Sequence, residues 1–291
     1  MKKLLSIVLL TAGLFAQANQ IFTINPSVYS AGMGNTGISH ANIKNLYHNP
    51  ALIALDTNYA GFTSVSWLPN LNDDMQYHNL TYTHTKGFGV ELFYFDYGDQ
   101  VHADANGIII GSFQSSSYKL SGSYGKNIKG WLLGGRFNIY NHDFIDTVDI
   151  GSSFGIDIGA LKSFRLSERD YASIGIVVKD LGTKSDFIDE SLDLPTSLGL
   201  AAKYTLGNLF TIAADAKLYN EYYSVGLGTE YYYKDLFEIR LGYYMEPEYE
   251  VEYFTFGAGI KAKGLGLDVG FLMNPDSFHN KTVMLSLGFE I

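Results

Sequence analysis

From Pro195 to Ile291 the chain alternates apolar with polar or small residues, segment after segment, each roughly ten residues long. In the last of them Val283, Leu285, Leu287, Phe289 and Ile291 share one face, and Thr282, Ser286, Gly288 and Glu290 share the other. A period of two means strand. A soluble sandwich also alternates, but it turns its apolar face to a core and its polar face to water. Here the second face is thinned to Gly and Ala with isolated charges, which suits a closed barrel whose apolar rows meet lipid. Extended back to Asn58, the pattern predicts about fourteen strands, near 59–68, 77–85, 87–97, 116–126, 130–140, 150–162, 171–180, 195–205, 209–219, 222–233, 235–245, 250–262, 265–274 and 281–291. The predicted fold class is therefore all-β: a transmembrane antiparallel β-barrel over residues 57–291.

The connections support that count. Taken alternately, 69–75, 98–115, 141–149, 181–194, 220–221, 246–249 and 275–280 form a generally longer, acidic set. The other set, such as Thr85-Lys86, Lys234 and Lys263-Gly264, is mostly tight and carries the basic residues. A miscounted strand would scramble both alternations.

Charges inside strands fall mostly opposite the bulky apolar residues. Arg136, Asp157, Lys203, Asp215, Lys217, Glu230, Glu238, Arg240, Asp268 and Glu290 are thus predicted to face the lumen. A charge on the lipid face would cost about 2–4 kcal/mol at the midplane, which nearly forces this placement. Such residues either glue the lumen together in pairs across the ladder or form a selective constriction.

Residues 19–56 lack the period of two and are rich in Gly, Ala, Asn and Ser. They read as a compact, partly helical plug tucked into the periplasmic mouth. Gly32, Gly34 and Gly37 would let backbone approach the wall, and Asn49-Pro50, followed by Ala51, breaks the run before the first strand. Residues 1–18 have a basic start, an apolar run from Leu4 to Phe15 and the end Ala16-Gln17-Ala18, the form of a cleavable secretory leader cut before Asn19.

Composition narrows the function classes. The net charge is −10, and −12 without the leader lysines, so no basic face is available for a nucleic-acid partner. With no cysteine there is no disulfide framework and no thiolate nucleophile or metal ligand. Glycine (31 residues), tyrosine (22) and phenylalanine (19) suit tight strands and interfacial girdles. Gly151-Ser152-Ser153-Phe154-Gly155 matches a nucleophile pentapeptide, but it opens a strand where catalysis needs a strand-to-helix turn. The seven histidines have no metal-binding spacing, and the acidic runs 186–193 and 246–252 lack the order of a calcium loop and read as solvated outer loops. Gly226-Leu227-Gly228 and Gly257-Ala258-Gly259 carry no nucleotide signal. No catalytic, metal or cofactor site is expected, and no enzymatic activity.

Ser30-Ala31-Gly32-Met33-Gly34-Asn35-Thr36-Gly37 and Leu46-Tyr47-His48-Asn49-Pro50-Ala51-Leu52 resemble the plug signature of PorV/PorQ proteins and the broader FadL-like outer-membrane barrels. Gly155 to Leu161, Val178 to Gly182, Leu194-Pro195 and Phe237 to Tyr243 continue the likeness. Asn42 and Lys44 stand where acidic residues are usual, and His48 where an aromatic is common. The resemblance implies a monomeric, fourteen-stranded, plugged barrel in a bacterial outer membrane, in contact with lipid and lipopolysaccharide. It implies passage of small hydrophobic compounds or, alternatively, a scaffold or shuttle role in type IX-like protein secretion. An apolar pocket beside residues 30–52 favours the first; a lumen filled with ion pairs favours the second.

Overall fold

The computed structural model describes residues 18–103, 106–143, 152–187, 190–234, 236–274 and 280–290. Residues 1–17 of the expected leader lie outside it, as do Asp104, Asp146, Asp149, Gly151, Asp189, His279 and Ile291. Ala18 opens a 3-10 turn, Ala18–Thr23.

The strands in chain order are β1 (Tyr59–Ser66), β2 (Gln76–His84), β3 (Phe88–Ala103), β4 (Ile109–Ile128), β5 (Trp131–Asp143), β6 (Ser153–Arg165), β7 (Tyr171–Gly182), β8 (Ser185–Phe187), β9 (Glu190–Leu192), β10 (Ser197–Leu206), β11 (Phe210–Tyr219), β12 (Tyr223–Tyr233), β13 (Phe237–Glu246), β14 (Val251–Ala262), β15 (Leu265–Met273) and β16 (Thr282–Glu290). Fourteen of them close a barrel in chain order, every pairing antiparallel, and β1 seals against β16 in the register Tyr59↔Glu290 to Ser66↔Val283. The remaining two, β8 and β9, make a small separate hairpin inside one connection.

Alternation sorts the wall as the pattern predicts. Along β16 Val283, Leu285, Leu287 and Phe289 are exposed while Thr282 and Met284 are buried; Ile158 on β6 is 59% exposed beside Asp157 at 0%. The outward rows form the apolar surface that lipid covers. Two tight turns explain their own residues: Lys129-Gly130 and Lys263-Gly264 both have positive φ at each position (52° and 81°, 51° and 82°), the two-residue hairpin turn whose twist matches its strands.

Two expectations need correction. The stretch 98–115, expected as a loop, is largely strand: β3 and β4 run on past the rim as a two-stranded ribbon, paired only with each other beyond Asp96 and Ser116, with register shifts at Asp96/Asp99 and His102/Ala103. Cross-strand pairing overrides its glycines and polar residues there.

The second concerns residues 19–56, which do not stop at the short-turn mouth. They run the length of the lumen. Asn19 Nδ2 donates to the carbonyls of Leu192 (3.3 Å) and Asp193 (2.9 Å), and Tyr222 OH donates to Gln20 Oε1 at 3.0 Å, all at the long-loop end. From there the chain descends through a helical turn, Val28–Ala31, and 3-10 turns Ile43–Asn45 and Pro50–Leu55, to enter β1 at the short-turn end. Phe22 explains the upper anchor, since it packs among Phe93, Tyr140 and His142, where burial of aromatic area outweighs solvation at a rim.

Candidate functional site

The plug is seated by glycine meeting glycine. A Cβ on Gly32 would lie 2.8 Å from the Gly257 Cα of β14, and one on Gly34 (φ +64°) would run into the carbonyls of Leu227 and Tyr243. Facing them, Gly226, Gly228 and Gly242 touch the backbone of Met33 and Gly34. Backbone therefore packs on wall where any side chain would hold it off. Gly37 approaches a side chain of the plug itself, the His48 ring. Asn49 caps the last 3-10 turn through Ala51 N and donates to the carbonyls of Ile38 (2.9 Å) and Ala160 (3.2 Å), while Pro50 and Ala51 lie over Gly134.

Wall side chains complete the seat. Asp215 Oδ2 accepts the amide N–H groups of Gly37 (2.8 Å) and Ile38 (2.9 Å), and Thr255 Oγ1 accepts that of Gly34 at 2.9 Å. The charge-assisted pair at Asp215 is the stronger kind of bond.

Two ion clusters fix opposite sides of the plug. In the first, Arg136 Nε donates to Asp157 Oδ2 (2.8 Å), its Nη1 to Glu91 Oε2 (2.6 Å) and the Leu46 carbonyl (3.1 Å), and its Nη2 to the Tyr47 carbonyl (2.8 Å). One guanidinium thus ties three strands to the plug backbone. Asp157 Oδ1 takes Asn138 Nδ2 (3.0 Å) and the Asp180 amide (2.7 Å), leaving neither oxygen bare. Lys179 and Lys119 set their ammonium groups 3.7 and 4.7 Å from the centre of the Tyr47 ring, in cation–π range.

In the second cluster Arg240, fully buried, donates to Glu230 Oε1 (2.8 Å), Asp268 Oδ1 (2.8 Å) and Glu238. Gly257 and Gly259 leave the lane across β14 through which it reaches Asp268 on β15. The plug joins twice: Lys44 Nζ donates to Asp268 Oδ2 at 2.8 Å, and the Tyr29 ring lies 4.1 Å from the Arg240 Cζ while its OH donates to Glu230 Oε2 at 2.5 Å. Lys261 and Glu290 pair at 2.7 Å near the short-turn mouth, both partly exposed. Lys203 and Lys217 face inward with no ion pair among the described residues.

Alternation brought out most of these charges but missed Lys44, Glu91, Lys119, Lys179 and Asp180. Glu91, Lys119 and Lys179 sit in the same inward phase as Arg136 and Asp157, which was the available signal; Asp180, directly after Lys179, is turned inward by a bulge in β7 and its own positive φ of 58°, and Lys44 lies in the aperiodic plug.

Two plug imidazoles are buried without full partners. His48 Nε2 lies 2.7 Å from Ser30 Oγ and 3.0 Å from Asn25 Oδ1, with Nδ1 unbonded; His40 stands edge-on to Tyr29 with Nε2 unbonded. Burial holds both well below the ordinary histidine pKa, helped by Lys203 and Arg240 near His40 and by Lys217 and Lys179 near His48.

Two spaces lie between plug and wall among the described residues. One polar gap of about 20 Å³ lies between Tyr29, Tyr47 and Glu91, and a cavity of about 140 Å³ lies at the long-loop end beside Ala31 and Asn35 of the plug. A much larger hollow, about 760 Å³, is on the outside, where Ala202 and Ala214 stand between Ile174, Ile212 and Leu241. It faces the bilayer and its surface is almost wholly apolar. Of the two features weighed from the sequence, the ion-paired lumen is present; the cavity beside the plug is not the apolar one expected, since Asn25, Asn35 and Glu246 line it together with apolar side chains. Ser153 opens β6 away from any helix, and no described group of acidic or histidine residues has the arrangement to hold a metal ion.

No protein-family model and no curated protein sequence matches the chain. Solved structures do. The fold is similar to that of the Ralstonia pickettii toluene transporter TbuX (TM-score 0.58, 12% identity, 92% of this chain and 97% of that one). It is similar to a Pseudomonas aeruginosa FadL homologue (0.58, 12%, 91% and 98%) and to the Pseudomonas putida toluene transporter TodX (0.54, 13%, 89% and 95%). What is shared is the fold, here a closed fourteen-stranded antiparallel barrel; the narrower PorV/PorQ likeness has no counterpart among them.

Proposed function

We propose that the protein is an outer-membrane channel of FadL-like type that admits small hydrophobic compounds, working as a monomer with residues 19–56 as its plug. The observation that carries this reading is a closed barrel with lipid-facing apolar rows, whose lumen is blocked by a segment seated on it rather than by the wall itself. A wall can be permanently shut without such a segment. A separately seated plug gives a passage something to open. The toluene transporters of the same fold supply the substrate class.

The packed ion clusters also fit a barrel that stays shut and docks secretion proteins on its rim. One experiment separates the two. Uptake of labelled toluene is compared in cells that express the protein and in cells deleted for it. Faster uptake with the protein is expected; equal rates for toluene and for a long-chain hydrocarbon, together with a defect in export of surface proteins, would reject transport.

A further inference from the structure

Resting on the transport reading, we infer that the cavity at the long-loop end receives a single aromatic ring bearing a hydrogen-bond donor, a phenol- or aniline-like compound, with Glu246 as the acceptor. Size comes first. The cavity measures about 140 Å³, close to the ~150 Å³ apolar cavity that is known to hold one benzene ring. Its walls suit such a ring: Trp67, Leu272 and Met284 line it, together with Tyr244 and Tyr253, which stack on each other at 5.1 Å between centroids.

The polar groups then narrow the chemistry. Thr23 Oγ1 is bound to the Gln20 carbonyl at 2.8 Å. Asn25 Nδ2 serves Ser30 Oγ and Asn35 Oδ1, and Asn35 Nδ2 serves Tyr253 OH at 2.8 Å. Tyr244 OH donates to Glu246 Oε1. That leaves Glu246 Oε2, which accepts no hydrogen bond among the described residues although it belongs to a cavity-lining side chain. A carboxylate is an acceptor only. A bare hydrocarbon in this space would strip water from that oxygen and return nothing, whereas an O–H or N–H on the ring would restore its bond. Sites built this way discriminate strongly against the analogue that lacks the donor. No proton needs to be transferred; the donor keeps its hydrogen.

The test uses the purified full-length protein in detergent micelles, with phenol and toluene titrated against it. Phenol is expected to bind at least about tenfold more tightly than toluene, the size of effect that one hydrogen bond to a charged group gives. Glu246→Leu should abolish that preference, leaving toluene equal or better. Glu246→Gln, which keeps shape and the bond to Tyr244, should reduce it, and it decides the matter if the leucine variant does not fold. Equal binding of phenol and toluene, or a phenol preference that survives both substitutions, would each overturn the inference. Uptake into vesicles carrying the protein is measured separately: toluene and phenol entering at equal, protein-dependent rates with no Glu246 effect sinks this inference and spares the transport reading. No protein-dependent uptake of either sinks the transport reading on which the inference rests.

Discussion

Asp215 offers the sharpest perturbation of the plug seat. Its carboxylate is 2% exposed and one oxygen holds two consecutive plug amides, Gly37 and Ile38, at 2.8 and 2.9 Å. A hydrogen bond to a charged group contributes about 1.5–3 kcal/mol, and an unsatisfied buried amide costs a similar amount. Asp215→Ala therefore removes up to about 3–6 kcal/mol of local attachment. Water entering the space vacated by the carboxylate recovers part of this, so about 2–4 kcal/mol is expected to remain. Read by amide hydrogen exchange, that is about 30- to 1,000-fold faster exchange at Gly37 and Ile38. Asp215→Asn, which retains one acceptor oxygen, should fall roughly midway. Gly34, held by Thr255 at another wall position, should change much less, and the barrel strands not at all. Unaltered protection at Gly37 and Ile38 in the alanine variant would refute the reasoning, and so would an equal acceleration throughout the wall.

Other outcomes follow from the same geometry. Arg240→Met leaves Glu230, Glu238 and Asp268 opposite Lys44 alone, and should lower the urea midpoint in detergent by the equivalent of about 3–5 kcal/mol. Lys261→Met, at a partly exposed pair, should cost no more than about 1 kcal/mol in the same titration. Gly257→Val places carbon against Gly32, where even a Cβ would sit 2.9 Å from its Cα; a loss of about 1–3 kcal/mol and new protease cleavage within residues 30–40 are expected. For pH the sign comes from the two plug histidines, neutral when seated and held below their ordinary value by burial. Released chain takes up protons below about pH 6.5, so the seated state is favoured above that value and loses about 1.4 kcal/mol per histidine per pH unit below it, down to each seated pKa. Exchange rates of plug amides at pH 7.5 and 5.5 check this, and His48→Gln should flatten part of the slope.

What the sequence disclosed was whatever obeyed a period of two. Strand number, lipid-facing rows and the inward phase of Arg136, Asp157, Glu230 and Arg240 all come from that one rule, because the side chains of a strand alternate by geometry. The path of the plug does not. Residues 19–56 have no period, and their course is set by contacts as remote in sequence as Asn19 with Leu192 and Gly32 with Gly257. Part of it was nonetheless written in the wall: Gly226, Gly228, Gly242, Gly257 and Gly259 weaken their strands as isolated residues, and make sense only as the surface another backbone and a reaching arginine require. The ribbon beyond the rim was hidden for the opposite reason. Its Gly98, Gly107 and Gly111 read as loop, and only pairing between two weak strands makes it extended. Glu246 looked like one member of an acidic outer run until its neighbours in space were known.

A thread lying lengthwise inside a tube must be in place before the tube is sealed. The seam here joins β1, made directly after the thread, to β16, made last, so the two edges meet around a lumen already occupied. Assembly and plugging are then one event rather than two, and a chain with Gly32 or Gly34 enlarged should stall with β1 and β16 apart instead of producing an empty cylinder. Disulfide trapping across Ala60 and Phe289, which face each other in that seam, would catch the difference as it happens.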